Sequence, residues 1–180
     1  MTVGVLITEA DLEEMLLHGF QRFAFRLEAQ SSYTVGIERD ALREFAEGHF
    51  QPPSSFTWWQ EWLDLVAEHA KHGQVMERVR VEAEPPTIYQ QWLRWGDHWH
   101  TQAGERIFYL PRTGAAATGL PLDADWWLFD GAAVVAMRFA PDGMLAGITL
   151  VTDPDAVRPY CQWRELAIRH ATAAPGSAAA

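Results

Sequence analysis

Two stretches of alternating charge carry the chemistry open to this sequence. In Arg22–Ala29, Phe23, Phe25 and Leu27 alternate with Arg26 and Glu28; in Val75–Ala83, Val79 and Val81 alternate with Arg78, Arg80 and Glu82. A period of two puts the charges on one face of each strand. If the strands share a sheet, they build an arginine–glutamate lattice. One reading is an anion site, because a guanidinium fork grips carboxylate or phosphate bidentately. The plainer reading is a ladder of salt bridges on a solvated sheet face. The residues leave both open. Arg106 and Arg112 share a face of a further strand, Glu105–Arg112, and extend the anion-site reading.

Asp123, Asp125 and Asp130 surround Trp126 and Trp127. Paired carboxylates can do acid–base work or hold a hard cation. Asp125 and Asp130, however, have opposite strand parity and do not converge. The simpler assignment makes Asp125 a turn cap and Asp130 the start of an Asp130-Gly131 hairpin, with the tryptophans in a core or pocket wall. His98 and His100 are too far apart around a helix to share a metal, and His69 and His72 lack a companion in ligand spacing. No metal is expected. Cys161, the only cysteine, reads as a small buried hydrophobe. Walker loop, dinucleotide fingerprint, nucleophile elbow and kinase signature are all missing, so no cofactor is expected. Trp58, Trp59 and Trp62, and again Trp92, Trp95 and Trp99, fall at helical spacing. They fit a core, an aromatic-walled cleft or a protein-contact patch.

The chain of 180 residues carries 24 acids against 14 bases, a formal charge of -10. That disfavours direct nucleic-acid or anionic-membrane binding. A single cysteine, no basic apolar leader and no run of ~20 apolar residues predict a soluble cytoplasmic protein. Lys71 is the only lysine and there is no asparagine, which is compositional bias.

The elements that must position these residues follow from pattern. Thr8–Phe20 predicts a helix capped by Thr8, and Ser31–Val35 a short second strand. Glu38–His49 predicts a short helix, and Thr57 with Gln60 a capping box opening another. Thr87 with Gln90 opens a helix to about Gln102, ended by Gly104. Thr113–Gly119 reads as a surface loop. Asp125–Asp130, Ala132–Phe139 and Met144–Val151 predict an antiparallel meander turning at Asp142-Gly143. Asp153-Pro154 opens the last helix, which Pro159 must kink or start. The fold class is α+β: a mainly antiparallel sheet with a meander in the C-terminal half, packed by about five helices. Residues 1–172 form a single globular domain, and 173–180 a disordered Ala-rich tail.

Several ordered blocks resemble the actinobacterial family catalogued as domain of unknown function 6879. They are Phe23-Ala-Phe-Arg-Leu-Glu28, Tyr33 followed by Glu38, Val79-Arg-Val81 with Glu84-Pro85, Tyr89, Ala103-Gly-Glu105, Leu110-Pro-Arg112, Leu120-Pro121, Trp127-Leu-Phe-Asp130 and Asp153-Pro154. The resemblance implies one compact domain, often encoded beside helix-turn-helix regulators and small partner proteins. It implies no reaction. This chain departs from the family pattern at Gln91, usually arginine, at Leu93, commonly acidic, and at His100, often an amide. If that helix lines the family's site, this member takes a different, more apolar ligand.

Two functions are expected. The first is a regulatory or protein-interaction domain of a helix-turn-helix-associated system, whose acidic charge suits a basic partner. The alternative is a small-molecule site for an anionic ligand, in a binding protein or an enzyme of a specialised biosynthetic pathway. Its candidate ligand-binding residues are Arg26, Glu28, Arg78 and Arg80, then Tyr89, Gln91, Arg106, Asp125 and Trp127. No residue is assigned a catalytic role.

Overall fold

Side-chain caps start α1, α4 and α6 in the computed structural model, which describes residues 4–177. Thr8 and Asp11 form a capping box on α1 (Glu9–His18), just after a three-residue strand β1 (Val5–Ile7). After β2 (Phe23–Glu28) come α2 (Arg39–Ala46) and α3 (Thr57–Lys71). The cap position of α3 is Phe56, with no side-chain bond, so Thr57 lies inside the helix instead of capping it. Next are β3 (Val75–Glu82) and α4 (Ile88–Ala103). Thr87 and Gln90 close the expected capping box on α4, and Gly104 ends it at φ 109°, a conformation glycine reaches without strain. Then follow β4 (Arg106–Pro111), α5 (Arg112–Thr118), β5 (Asp125–Phe129), β6 (Ala133–Phe139), β7 (Leu145–Val151), α6 (Pro154–His170) and β8 (Thr172–Ala173). Asp153 caps α6, and Pro159 sits inside that helix.

One sheet runs β1-β7-β6-β5-β2-β3-β4-β8. The class is α+β, and the sheet is mainly antiparallel as expected but mixed, with six α-helices among the described residues packing it. β2, β3 and β4 are parallel neighbours. Helical crossovers between consecutive strands impose this: α2 and α3 carry the chain from β2 to β3, and α4 carries it from β3 to β4. The meander β5-β6-β7 is present but flanked on both sides, by β1 beyond β7 and by β2 beyond β5. Ser31–Val35 forms no strand; Tyr33 is buried and the Thr34 N–H is spent on Gly143 O. The loop expected at 113–119 is largely α5. The expected tail begins as β8, and Ala174 is buried with its N–H on Ile107 O. Residues 178–180 lie outside the described residues.

The two sheet faces differ in kind. Phe25, Leu27, Val79, Val81, Phe108, Leu110, Trp126 and Leu128 make an apolar layer under α5 and α6, broken only by the buried Glu77, which Arg164 of α6 pairs, and by Arg106 beside it. The other face presents the charged alternates and is roofed by α1, α3 and α4, from which Leu12, Trp59, Leu63, Val66, Tyr89 and Trp92 descend. The turn at Asp130 (φ 53°) and Gly131 (φ 73°) joins β5 to β6. The Asp130 carboxylate also accepts from the N–H groups of Gln21, Arg22 and Phe23 at 2.7–2.9 Å, which fixes the entry to β2. No helix among the described residues is long and apolar enough to cross a membrane.

The roof depends on close approach of α3 and α4. A Cβ at Gly96 would stand 2.7 Å from Cζ2 of Trp59, a rigid ring edge. Gly96→Ala is expected to destabilise the protein by about 1–3 kcal/mol through overpacking, read as a lower urea midpoint at unchanged slope.

Candidate functional site

Parallel pairing sets Arg26 beside Arg78 and Glu28 beside Arg80 on the roofed face. Glu28 becomes the hub. Its Oε1 accepts from Arg78 Nη1 at 2.8 Å and its Oε2 from Arg80 Nε at 2.9 Å. Glu28, Arg78 and Arg80 are only 5%, 6% and 3% exposed, so the lattice is an interior network and not a solvated ladder. Each arginine has a further acid. Arg78 bonds Glu105 through Nε at 2.6 Å and Nη2 at 2.5 Å, and Arg80 bonds Asp97 at 2.6 Å and the Tyr109 hydroxyl at 3.0 Å. Buried charges persist only when paired and hydrogen-bonded this fully.

The chain of bonds continues into the roof. Glu105 Oε2 meets His100 Nδ1 at 2.6 Å, and the Trp59 indole N–H donates to His100 Nε2 at 2.9 Å. Since Nε2 accepts, Nδ1 carries the proton and the imidazole is neutral. Burial pushes the Glu28 carboxyl up, but Arg78, Arg26 and Arg80 more than offset it and hold it at about 2. Burial likewise opposes ionisation of Glu105, and Arg78 and His100 hold it well below the usual carboxylate range.

Arg26 is the exception. Its contacts are long, 3.3 Å to Asp125 and 3.5 Å to Glu28, and its buried Nε has no partner. Its guanidinium lies 5.5 Å from the ring centre of Trp127 and 5.7 Å from that of Tyr33. Asp125, fully buried, scarcely needs it: the carboxylate accepts from Ala29 N–H at 2.8 Å and Tyr33 O–H at 2.5 Å. Burial raises Asp125 above its ordinary value, and Arg26 and Tyr33 only partly bring it back.

Arg26 opens onto a cavity of about 540 Å³ between sheet and roof. Trp58, Trp59, Trp62, Trp92, Trp127 and Phe139 wall it, with Leu12, Leu16, Met137 and Leu145 completing the apolar lining. The residues Thr34–Glu38 run along one side, and Glu38 takes the Tyr89 hydroxyl at 2.6 Å. Apolar walls with a few convergent polar groups are the ordinary build of a ligand pocket. Every hydroxyl and imidazole on the lining is engaged: Tyr33 on Asp125, Thr34 on Asp142 O, Tyr89 on Glu38, His100 on Glu105 and Trp59. Among the described residues no group of three or more His, Cys, Asp or Glu is arranged to hold a metal ion.

Six of the nominated residues line this cavity: Arg26, Glu28, Arg78, Arg80, Tyr89 and Trp127. Asp125 stands behind Arg26 as its counter-ion and is no simple turn cap. Gln91 points away, exposed, its amide on Pro86 O. Arg106 is beside Glu77, and hence on the α6 face, away from the lattice. Arg112 reaches Ala29 O at a strand end. Tyr33, Glu38, His100 and Glu105 were not nominated. Tyr33 lies in a loop with no periodicity to orient it, and Glu38 ends the three-residue 3-10 turn that precedes α2. His100 lies on the buried stripe of α4 and was within reach of helical spacing, whereas Glu105 follows the end of the helix, where neither pattern extends.

A family model described as a domain of unknown function, DUF6879, matches residues 10–175. No curated protein matches the chain. Among solved structures, the crystal structure of a phospholipase D family member, Nuc from Salmonella typhimurium, aligns with a TM-score of 0.54 at 8% identity, covering 92% of this chain and 90% of that one. A likeness at that identity is one of fold.

Proposed function

Since the chain belongs to the DUF6879 family, whose description names no activity, we propose from its own residues that it is a binding domain for a small ligand. That ligand has a flat apolar body and an anionic head, with the head seated on Arg26. The observation that carries this is the contrast among three arginines on one face. Arg78 and Arg80 are saturated by acids at 2.5–2.9 Å, whereas Arg26 is loosely held, keeps an unpartnered Nε and borders the indole-walled cavity. An unmade hydrogen bond of a buried cation costs more than a neutral one, so a ligand oxygen that draws Arg26 into new bonds is favoured. Asp125 tolerates the exchange because burial already moves it toward its neutral form. The engaged hydroxyls and imidazole favour binding over catalysis.

The test is isothermal titration of the full chain and of Arg26→Met with indole-3-propionate. Methionine keeps the apolar stem and removes the fork. Binding is expected to weaken roughly ten- to a hundredfold, the worth of a charged hydrogen bond. Equal affinity of the two proteins would remove Arg26 from the site and end this reading.

One observation favours the second reading, a cytoplasmic regulatory domain that docks a helix-turn-helix protein of an actinobacterial host. Phe50 is 58% exposed, and its ring stands 5.1 Å from Phe45 and 5.9 Å from Trp95, off the cavity. An exposed aromatic cluster on an acidic protein suits a partner with a basic rim.

A further inference from the structure

The cavity has a second polar pole. Glu38 ends the short 3-10 turn Gly36–Glu38 on the cavity wall. Its Oε2 is taken by the Tyr89 hydroxyl. Its Oε1 has neither a hydrogen-bond donor nor a cation within salt-bridge distance among the described residues. It is also accessible, because the only sealed, unpartnered side-chain atoms there are Arg26 Nε and Trp126 Nε1. Burial pushes the Glu38 carboxyl above its ordinary value, and the Tyr89 bond only partly offsets that. A half-buried carboxylate with a free oxygen and no cation is a donor site waiting for a donor.

Charge balance decides what that donor is. Around the cavity Arg26, Arg78 and Arg80 face Glu28, Glu38, Asp97, Glu105 and Asp125, three cations against five acids. Glu9, exposed at the rim, adds to the deficit. A ligand bearing only an anion would deepen it. A ligand that also brings a positive group leaves the balance unchanged and satisfies both poles. The walls near Glu38 are aromatic as well: Tyr89 lies 5.6 Å from Tyr33 and 5.4 Å from Trp92.

We propose that the ligand is a zwitterion, an aromatic or large aliphatic amino acid or a close derivative, whose ammonium bonds Glu38 while its carboxylate bonds Arg26. This rests on the Arg26 reading and adds the opposite pole. The apolar body fills the space among Trp58, Trp62, Trp92 and Trp127. About 540 Å³ lies within the ~300–1,000 Å³ usual for small-molecule pockets.

Three probes that differ by one group each provide the test: L-tryptophan, indole-3-propionate without the ammonium, and tryptamine without the carboxylate. Each is titrated calorimetrically into the full chain, Glu38→Gln and Arg26→Met. Glutamine can still accept from Tyr89, so Glu38→Gln should fold. Tryptophan is expected to bind the unaltered protein at least about tenfold tighter than either single-pole probe. Glu38→Gln should erase its advantage over indole-3-propionate while binding that acid at least as tightly as the unaltered protein does, which also reports an intact cavity. If tryptophan and indole-3-propionate bind equally and Arg26→Met weakens both, the ligand is a plain anion; the Glu38 inference falls and the Arg26 reading stands. If tryptamine binds as tightly as tryptophan and Arg26→Met changes nothing, the Arg26 reading falls and Glu38 remains as an amine site. Failure of all three probes to bind overturns both.

Discussion

Arg78→Met is expected to cost the folded state about 3–5 kcal/mol, the usual result of removing one partner from a buried ionic network. Arg78 is held between two acids. Glu28 takes its Nη1 at 2.8 Å, and Glu105 takes its Nε and Nη2 at 2.6 and 2.5 Å. Without it both carboxylates face each other across a water-poor interior. Methionine keeps the apolar stem but removes the guanidinium, whose carbon stands 5.5 Å from the Trp62 ring centre, so the loss reports the ion pairs together with that contact. Equilibrium urea unfolding at neutral pH measures it. Arg26→Met is the control, because Asp125 retains Ala29 N–H and Tyr33 O–H and loses only long contacts. If the two variants lost equal stability, the network would not be centred as its distances indicate.

Acid is expected to unfold the protein through the same carboxylates. The folded-state value of Glu28 lies at about 2 against 4.5 for the free side chain, and Glu105 is lowered as well. A depressed carboxyl contributes stability that is complete above about 4.5 and disappears as pH falls through the folded value. For Glu28 alone the drop from 4.5 to about 2 corresponds to roughly 3 kcal/mol at 1.36 kcal/mol per unit. Glu38 and Asp125 act oppositely. Their values are raised, so their ionised forms weaken the fold and protonation relieves that cost first. Stability should therefore rise slightly from neutral pH toward pH 5 and fall steeply below about 4.5. A urea series across that range reads the curve, and a flat profile down to pH 3 would contradict the buried ion pairs. In Arg78→Met the acid limb should be much shallower, since the cation that holds both acids ionised is gone.

The split of β2 and β3 into apolar and charged faces is plain in the sequence, as are the caps of α1, α4 and α6 and the Asp142-Gly143 turn. These depend on residues within a few positions of one another. Whether the charged faces meet water or a roof depends on α3 and α4 lying across them, and no local pattern encodes that. Arg106 shows the limit best. Its alternation with Ile107 was legible, but the parallel register sets Arg106 against Glu77 and Ile107 against Arg78, so even positions of β4 share a face with odd positions of β3. A one-residue offset inverts the assignment. Gln91 was within reach of helical spacing, because Tyr89, Trp92, Gly96 and His100 trace the buried stripe of α4 and position 91 falls off it. Tyr33 and Glu38 needed the tertiary fold, since a loop and a three-residue turn have no period.

The ends of the sheet bear on a different property, resistance to self-association. A long open strand edge is a template for another chain. Here the outermost strands have three and two residues, and each has only one neighbour to cover, β7 for β1 and β4 for β8. The Ser177 hydroxyl extends the seal by bonding both N–H and C=O of Ile107. Those few small residues cap β4, whose Ile107, Phe108 and Tyr109 are among the most buried side chains in the protein. Trimming residues 172–177 would open the edge of β4 at Ile107, Phe108 and Tyr109, and that short stretch is thereby a guard against aggregation.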